Sequence, residues 1–279
     1  MNSSLARRFT GDVVSVCQSA APASAGAWLG ALLANLPACV RSRSLRPADQ
    51  RWARAGARFR TSTGATVRLP PTHTPCAREM YCRNVYLRTG LTMPAHGWVI
   101  DLGANQGLFS VWAALSGASV VAVEAQQGFA KEINDLAAYN GVTQRVHVET
   151  AMASGVTVSG SKVGVVADDH RWATTSHGAP TRPADLSLPD LMSAYRIDRV
   201  GLLKSDIEGG EFAVFADSNL SWLEKVDQLA LEVHPIFGEA AALVGRLEDH
   251  GFAVDLRDND GGHVPPDSDR LEYLYCSRK

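Results

Sequence analysis

Residues 97–109 read GWVIDLGANQGLF, and this stretch decides the fold. The apolar run Trp98–Ile100 ends at Asp101. Gly103, Asn105 and Gly107 follow, and an apolar stretch suited to a helix begins at Leu108. The order is a strand, a glycine turn and a helix start. Glycines let the backbone pass close to a ligand with no Cβ in the way. In an open α/β sheet, ligands sit between a strand's carboxyl end and the following helix's amino end.

The spacing is D-x-G-x-x-x-G. It is not the G-x-G-x-x-G that crowds backbone N–H groups around a pyrophosphate. A carboxylate at Asp101, close to the ligand, disfavours a phosphate and favours a cationic group. A second acid, Glu124, ends the next apolar run, SVVAVE at 119–124, where it can accept both hydroxyls of a ribose. A ligand with a ribose, an amino acid tail and no phosphate fits both acids, and S-adenosylmethionine is such a ligand. The glycines alone would suit any strand that ends in a turn; Glu124 makes the nucleoside reading specific.

Outward from this turn the chain alternates strand and helix, which predicts a parallel sheet. A helix over Leu108–Leu115 precedes the strand Ser119–Glu124. A helix over Phe129–Tyr139, closed by Asn140-Gly141, precedes the strand Val146–Glu149. A helix over Leu186–Tyr195 starts at Ser187 with Pro189 in its first turn. The strand Val200–Lys204 delivers SDIEGGE, 205–211, to the sheet edge, and Phe212–Phe215 continues into a helix. The strand Gln228–Glu232 ends in EVHP, 232–235. A helix over Glu239–Asp249 leads to Phe252–Leu256 and Leu271–Cys276, an antiparallel pair. Residues 151–185 break the rhythm. Val156–Val158 and Val163–Val166 read as a short antiparallel pair, and Asp168–Pro183, with His170, Trp172 and His177, as a lid or substrate loop.

Upstream, residues 1–80 read as a helical N-terminal extension, serving as a substrate lid or a dimer element, and 81–279 as the catalytic domain. Two helices are expected near 5–20 and 24–36 and another within Arg41–Arg60. TGATVRLPP, 63–71, reads as a short strand, and Glu79–Thr89 as a helix over the sheet edge. Val13–Val40 carries no charge and follows Arg7 and Arg8. Polar residues and Pro22 and Pro37 interrupt it, so a membrane span is not expected. The formal net charge of −2 over 279 residues offers no strong field for nucleic acid. The five cysteines are irregularly spaced and indicate neither a zinc site nor a disulfide framework, which suits a reducing cytoplasm.

The sequence resembles the FkbM-type family of S-adenosylmethionine-dependent methyltransferases. The likeness is carried by VIDLGANQG at 99–107, Val121–Glu124, KSDIEGGE at 204–211 and LEVHP at 231–235. It covers roughly residues 80–275 and departs mildly at Gly210, where the family commonly has alanine. It implies a class I methyltransferase fold: a Rossmann-like, mostly parallel seven-stranded α/β sheet with six parallel strands and one antiparallel strand. It implies S-adenosylmethionine as cofactor, with Asp101, Gly103, Asn105 and Gly107 around the methionine portion and Glu124 on the ribose. Ala151 and Met152 would border the adenine. Asp206 and Glu208 would lie on the substrate side, near the sulfonium. The implied activity is O-methylation of a small-molecule acceptor such as a sugar or secondary metabolite.

Methyl transfer needs alignment of nucleophile, methyl and sulfur, exclusion of water, and, for an alcohol, a base. Asp206, Glu208 and His234 are the catalytic candidates. His177 is a weaker one, and the pair Glu232 and His234 could orient a hydroxyl or cap the strand end. Asp206 and Glu208 could equally serve as helix-start carboxylates. Nothing in the sequence requires a metal, although oxygens from Asp206, Glu208 and Glu232 would suit magnesium or calcium. His147 and His250 read as structural. The expected partner is a small-molecule acceptor, with no nucleic acid and no membrane, and a homodimer through the N-terminal region stays open. An N-methyltransferase on the same scaffold is the alternative. A nucleotide-binding oxidoreductase and a non-catalytic binding module are further from the residues.

Overall fold

The structure, a computed structural model, describes residues 3–71, 76–154, 164–168, 171–175, 185–216 and 220–279. The N-terminal region opens with two helices, α1 (Ser3–Ser19) and α2 (Pro22–Ser42). Pro22 suits the first turn of α2 because its missing N–H has no partner there anyway. The sequence predicts a stop near residue 36, whereas α2 runs through Pro37 to Ser42, with Pro37 on its exposed side. By length and composition α2 is apolar enough to cross a membrane. One side of it packs inward through Ala25, Trp28, Ala31 and Cys39, while Leu33 and Leu36 stay exposed.

A short α3 (Arg46–Ala53) precedes an antiparallel hairpin of β1 (Ala57–Arg60) and β2 (Thr66–Leu69). The helix expected within Arg41–Arg60 is α3, and the same stretch ends in the strand β1. The helix expected over Glu79–Thr89 is absent: a single π-helical turn, Arg78–Cys82, gives way to turns and irregular chain. Tyr81, Cys82, Val85, Tyr86 and Leu87 are all buried. A surface helix buries one stripe only, so this density of inward side chains unwinds it.

The main sheet is built from β3 (Trp98–Leu102), β4 (Ser119–Glu124) and β5 (Val146–Thr150), with α4 (Leu108–Ser116) and α5 (Gln127–Asn140) between them. Three short strands follow among the described residues: β6 (Met152–Ser154), β7 (Gly164–Asp168) and β8 (Arg171–Thr175). The strand β7 pairs with β8; the partner expected for it, Val156–Val158, lies outside the described residues. Next come β9 (Asp185–Ser187), which lies parallel to β6, and α6 (Leu188–Ala194), capped by Ser187 as expected. The chain continues through β10 (Val200–Ser205), α7 (Glu211–Val214), β11 (Gln228–Glu232), α8 (Ala240–Asp249), β12 (Phe252–Arg257) and β13 (Tyr273–Arg278).

The seven strands run in the order β12-β13-β11-β10-β3-β4-β5. Only β13 is antiparallel to its neighbours, and it inserts between β11 and β12. The strand order reverses between β3 and β10, which opens a crevice at their carboxyl ends. Side chains alternate across the sheet. Val99, Val120, Ala122 and Leu202 face α4, α5 and the N-terminal elements, in one core with Val16, Trp28, Trp52, Phe59 and Trp112. Ile100, Leu102, Val121, Leu203 and Leu229 face the other way, toward α6 and α8. Each fully buried Leu, Phe or Val here contributes roughly 1.5–3 kcal/mol.

Buried charge ties the N-terminal helices to the segment that leads into the sheet. Arg78 donates to Asp49 at 2.9 and 3.0 Å and lies 3.0 Å from Asp12. Trp28 Nε1 donates to Asp49 at 2.8 Å. Packed rings, edge-on except for the tilted pair Phe59–Tyr81, then run from Trp28 through Trp52, Phe59, Tyr81, Trp112 and Phe109 to the buried Tyr86.

Candidate active site

The turn after β3 is pressed against the chain that leaves β10. Gly103 has φ +72°, and a Cβ there would fall 1.8 Å from the carbonyl oxygen of Asp206, so only glycine fits. Its N–H donates to Val123 O at 2.9 Å, locking the turn to β4. Glu124, at the end of β4, is almost fully buried. Its two oxygens accept from the backbone N–H groups of Asn105 and Gln126, each at 2.8 Å. Burial raises its pKa, against the pull of those two N–H groups. The carboxylate is thereby held in one orientation before any ligand arrives.

A cleft of about 770 Å³, counting the space open to solvent, lies at this point. Gly103, Asn105, Glu124, Ala151 and Met152 form one wall, and Asp206, Ile207 and Glu208 the other. Seven of the ten residues singled out in the sequence therefore share one cavity, and His234 stands beside it, 3.4 Å from Glu208. Two stand elsewhere. Asp101 is fully buried behind the turn, 3.1 Å from Lys204 Nζ, with Ser110 Oγ donating to it at 2.6 Å. Its expected place beside the ligand is corrected by this pairing, because a buried ammonium at Lys204 needs a counter-ion. Gly107 begins α4 and packs against Ile133, away from the cleft.

The second wall is assembled from distant segments. Glu211 is fully buried at the start of α7 and accepts from Gly209 N at 2.9 Å and from His234 N at 2.7 Å. The helix-start role foreseen for Asp206 or Glu208 thus falls to Glu211. Its Oε1 also lies 3.0 Å from His234 Nδ1, which turns Nε2 toward Glu208 at 3.4 Å. Burial alone would lower the His234 pKa, but the hydrogen bond and charge of Glu211, with Glu208 and Glu232, carry it up to about 9. Burial, and then the charge of Asp206, raises Glu208. Tyr86 reaches both Asp206 Oδ2 at 2.8 Å and Glu232 Oε2 at 2.9 Å.

Donor atoms of Asp206, Glu232 and His234 lie within 4.8 Å of one another. Each of the three is already engaged within the protein: Tyr86 holds the two carboxylates, and Glu211 and Glu208 hold the imidazole. His177 lies outside the described residues, as does much of the expected substrate loop. His147 packs against Trp98 and Tyr195, and His250 bonds the carbonyl of Arg246, both in structural places.

Sequence reasoning passed over Tyr86, Lys204 and Glu211. Lys204 and Glu211 stand inside KSDIEGGE, and their charge beside an apolar strand was the available signal. Lys204 Nζ donates to Gly103 O at 2.7 Å and Leu102 O at 3.2 Å, fastening the glycine turn from behind. Nothing local marks Tyr86.

The sheet order with β13 inserted antiparallel, and a carboxylate-tipped β4 beside a glycine turn, define a class I methyltransferase. The model of the methyltransferase FkbM domain matches residues 101–254, more than half of the chain, and the chain belongs to that family of S-adenosylmethionine-dependent methyltransferases. It is 25% identical over 209 residues to the 31-O-demethyl-FK506 methyltransferase FkbM of Streptomyces tacrolimicus, covering 63% of this chain and 80% of that protein. It is 26% identical over 229 residues to the AMB antimetabolite synthetase AmbE of Pseudomonas aeruginosa, covering 64% of this chain. The chain spans only 10% of the length of that synthetase. Among solved structures, the METTL16 methyltransferase domain aligns at TM-score 0.45 and 10% identity, covering 85% of this chain and 79% of that one. TrmK of M. capricolum, in complex with S-adenosyl-homocysteine, aligns at TM-score 0.40 and 7% identity, covering 66% and 62%.

The cleft suits the cofactor that the family implies. Its described lining carries carboxylates at Glu124, Asp206 and Glu208 and no lysine or arginine, a wall suited to a sulfonium and a ribose diol and poorly suited to phosphates.

Proposed function

We propose that this enzyme transfers a methyl group from S-adenosylmethionine to a hydroxyl of a small-molecule or sugar-containing metabolite. The observation that carries the reading is the cleft itself: Glu124 fixed by two backbone N–H groups on one side, and Asp206, Glu208 and His234 gathered on the other. Bound S-adenosylmethionine would supply a methyl already activated on a sulfonium. Glu124 would take the ribose hydroxyls, Gly103 and Asn105 would border the methionine portion, and Ala151 and Met152 the adenine. The remaining work is alignment, exclusion of water and removal of one proton from the acceptor. With its pKa near 9, His234 is an imidazolium at neutral pH, which leaves Asp206 and Glu208 as the proton acceptors. The relative from Streptomyces tacrolimicus is named for O-methylation, which supports oxygen as the acceptor atom. The carboxylate-rich wall also favours a second reading, methylation of a cationic amine.

The test is incubation with S-adenosylmethionine labelled isotopically in its methyl group and fractions of candidate acceptors. Label recovered on an oxygen supports the proposal. Label recovered on nitrogen replaces it with the second reading, and cofactor binding without any transfer would leave a binding module.

A further inference from the structure

A phenol carries one proton, and at Tyr86 two carboxyl groups compete for it. The hydroxyl oxygen lies 2.8 Å from Asp206 Oδ2 and 2.9 Å from Glu232 Oε2. An O–H donates one full hydrogen bond, and its oxygen accepts others. Two ionised carboxylates at that oxygen would leave one lone pair facing another in a buried place. Two short contacts are satisfied together when one carboxyl is protonated and donates to the phenol oxygen while the phenol donates to the other.

The surroundings say which one. Glu232 faces Asp206 from the end of β10, Glu272 from the residue before β13, and Tyr273 and Tyr275 on β13, with His234 on its own segment. Burial, then the charges of Asp206 and Glu272, push its carboxyl well above the usual range; His234 opposes them. The ammonium of Lys204 acts on both carboxyls, but it is Asp206 that it approaches to 4.0 Å, and of the two it is Asp206 that lines the cleft. Burial and the two carboxylates also raise Tyr86 well above 10, so the phenol keeps its own proton.

We propose that Tyr86 is a positioning residue of the transfer site: its hydroxyl clamps Asp206 and Glu232 into one proton-sharing pair, with the shared proton on Glu232 and the charge left on Asp206. The inference rests on the reading of this cleft as the methyl-transfer site for its purpose, and on the Tyr86 geometry for its content. As the C–O bond forms and the S–C bond breaks, with the electron pair leaving on sulfur, Asp206 takes the acceptor's proton. Glu232 stays neutral throughout, and the clamp holds Asp206 in place through its Oδ2. The second wall therefore carries one negative charge fewer than its carboxyl groups suggest.

The experiment is infrared difference titration of the 279-residue chain through neutral pH, in light and heavy water, on the wild type and on Tyr86→Phe, Glu232→Gln and Asp206→Asn. The expected result is a carboxylic-acid carbonyl band in the wild type at neutral pH that shifts in heavy water. Glu232→Gln loses that band, and Tyr86→Phe shifts its frequency and its titration. A merely structural tyrosine would move neither. Calorimetric titration with S-adenosylhomocysteine on the same samples separates the two readings. Undetectable binding in the wild type would sink the methyl-transfer assignment and leave the proton count standing. Absence of the band in the wild type, its loss in Asp206→Asn with survival in Glu232→Gln, or its appearance only after a chelator strips a bound cation would each overturn the proposal. If Glu232→Gln fails to fold, survival of the band in Asp206→Asn together with its frequency shift in the near-isosteric Tyr86→Phe decides the matter.

Discussion

The two walls of the cleft are built from different materials. The wall proposed for the cofactor is mostly backbone from one short reach of chain: the turn after β3, the end of β4, and N–H groups at Asn105 and Gln126 aimed at a single carboxylate. The wall proposed for the acceptor is mostly side chain, from residues 206–208, with Tyr86, Glu211, Glu232 and His234 packed against it. Backbone held by a sheet has one conformation. Side chains that hold one another can be re-tuned by single substitutions, which suits a fold whose members share a cofactor and differ in acceptor.

The largest expected effect falls where the two walls are joined. Lys204→Met leaves Asp101 fully buried with no cationic partner, which should cost about 3–5 kcal/mol in denaturant unfolding. A loss under about 1 kcal/mol would mean that the walls are not coupled through this pair.

The next effect belongs to the acceptor wall and depends on pH. The pKa of His234 rises from an ordinary 6.5 to about 9 in the folded state. The folded form binds its proton more tightly than the unfolded chain does. The stabilisation, roughly 3 kcal/mol, is therefore complete below pH 6.5 and disappears as pH climbs through 9. Glu211→Gln should flatten that fall; an unchanged pH profile in the variant would show that Glu211 does not hold the imidazolium.

On the wall proposed for the cofactor, Glu124→Gln keeps the size, removes the charge and leaves one acceptor oxygen for the two backbone N–H groups of Asn105 and Gln126. Affinity for S-adenosylhomocysteine should drop about 10–100-fold, the equivalent of one charged hydrogen bond. The smallest effect lies outside both walls. Gly30 sits in α2 with open space where its Cβ would be, so Gly30→Ala should raise stability by about 0.5–1 kcal/mol and leave cofactor affinity unaltered. A change in affinity would show that α2 communicates with the cleft.

What could be read from the sequence follows the same division. Gly103, Asn105 and Glu124 were legible because a strand end, a turn and the next strand end lie within one short stretch, and local pattern sets their geometry. The strand Ser119–Glu124 and the cap at Ser187 were legible for the same reason. The place of Asp101 is legible but its partner is not: Lys204 arrives from β10, and only the sheet register, Lys204 beside Asp101, brings the two together. Tyr86 was invisible because aromatic residues mixed with charge suggested an amphipathic helix. Burial of Tyr81, Val85, Tyr86 and Leu87 together unwound that segment. The strand β1 was hidden because its alanine- and arginine-rich surroundings favour helix, whereas its pairing with β2 is a tertiary choice.

We propose that this pocket grips a sulfonium nucleoside by its sugar through Glu124. Calorimetric titration of the wild type and of Glu124→Gln with S-adenosylhomocysteine, alongside a nicotinamide dinucleotide, tests it most directly. Saturable binding of S-adenosylhomocysteine, weakened in the variant, with no heat from the dinucleotide, is the predicted result. Binding of the dinucleotide in place of S-adenosylhomocysteine, or equal affinity of the two proteins for S-adenosylhomocysteine, would contradict it.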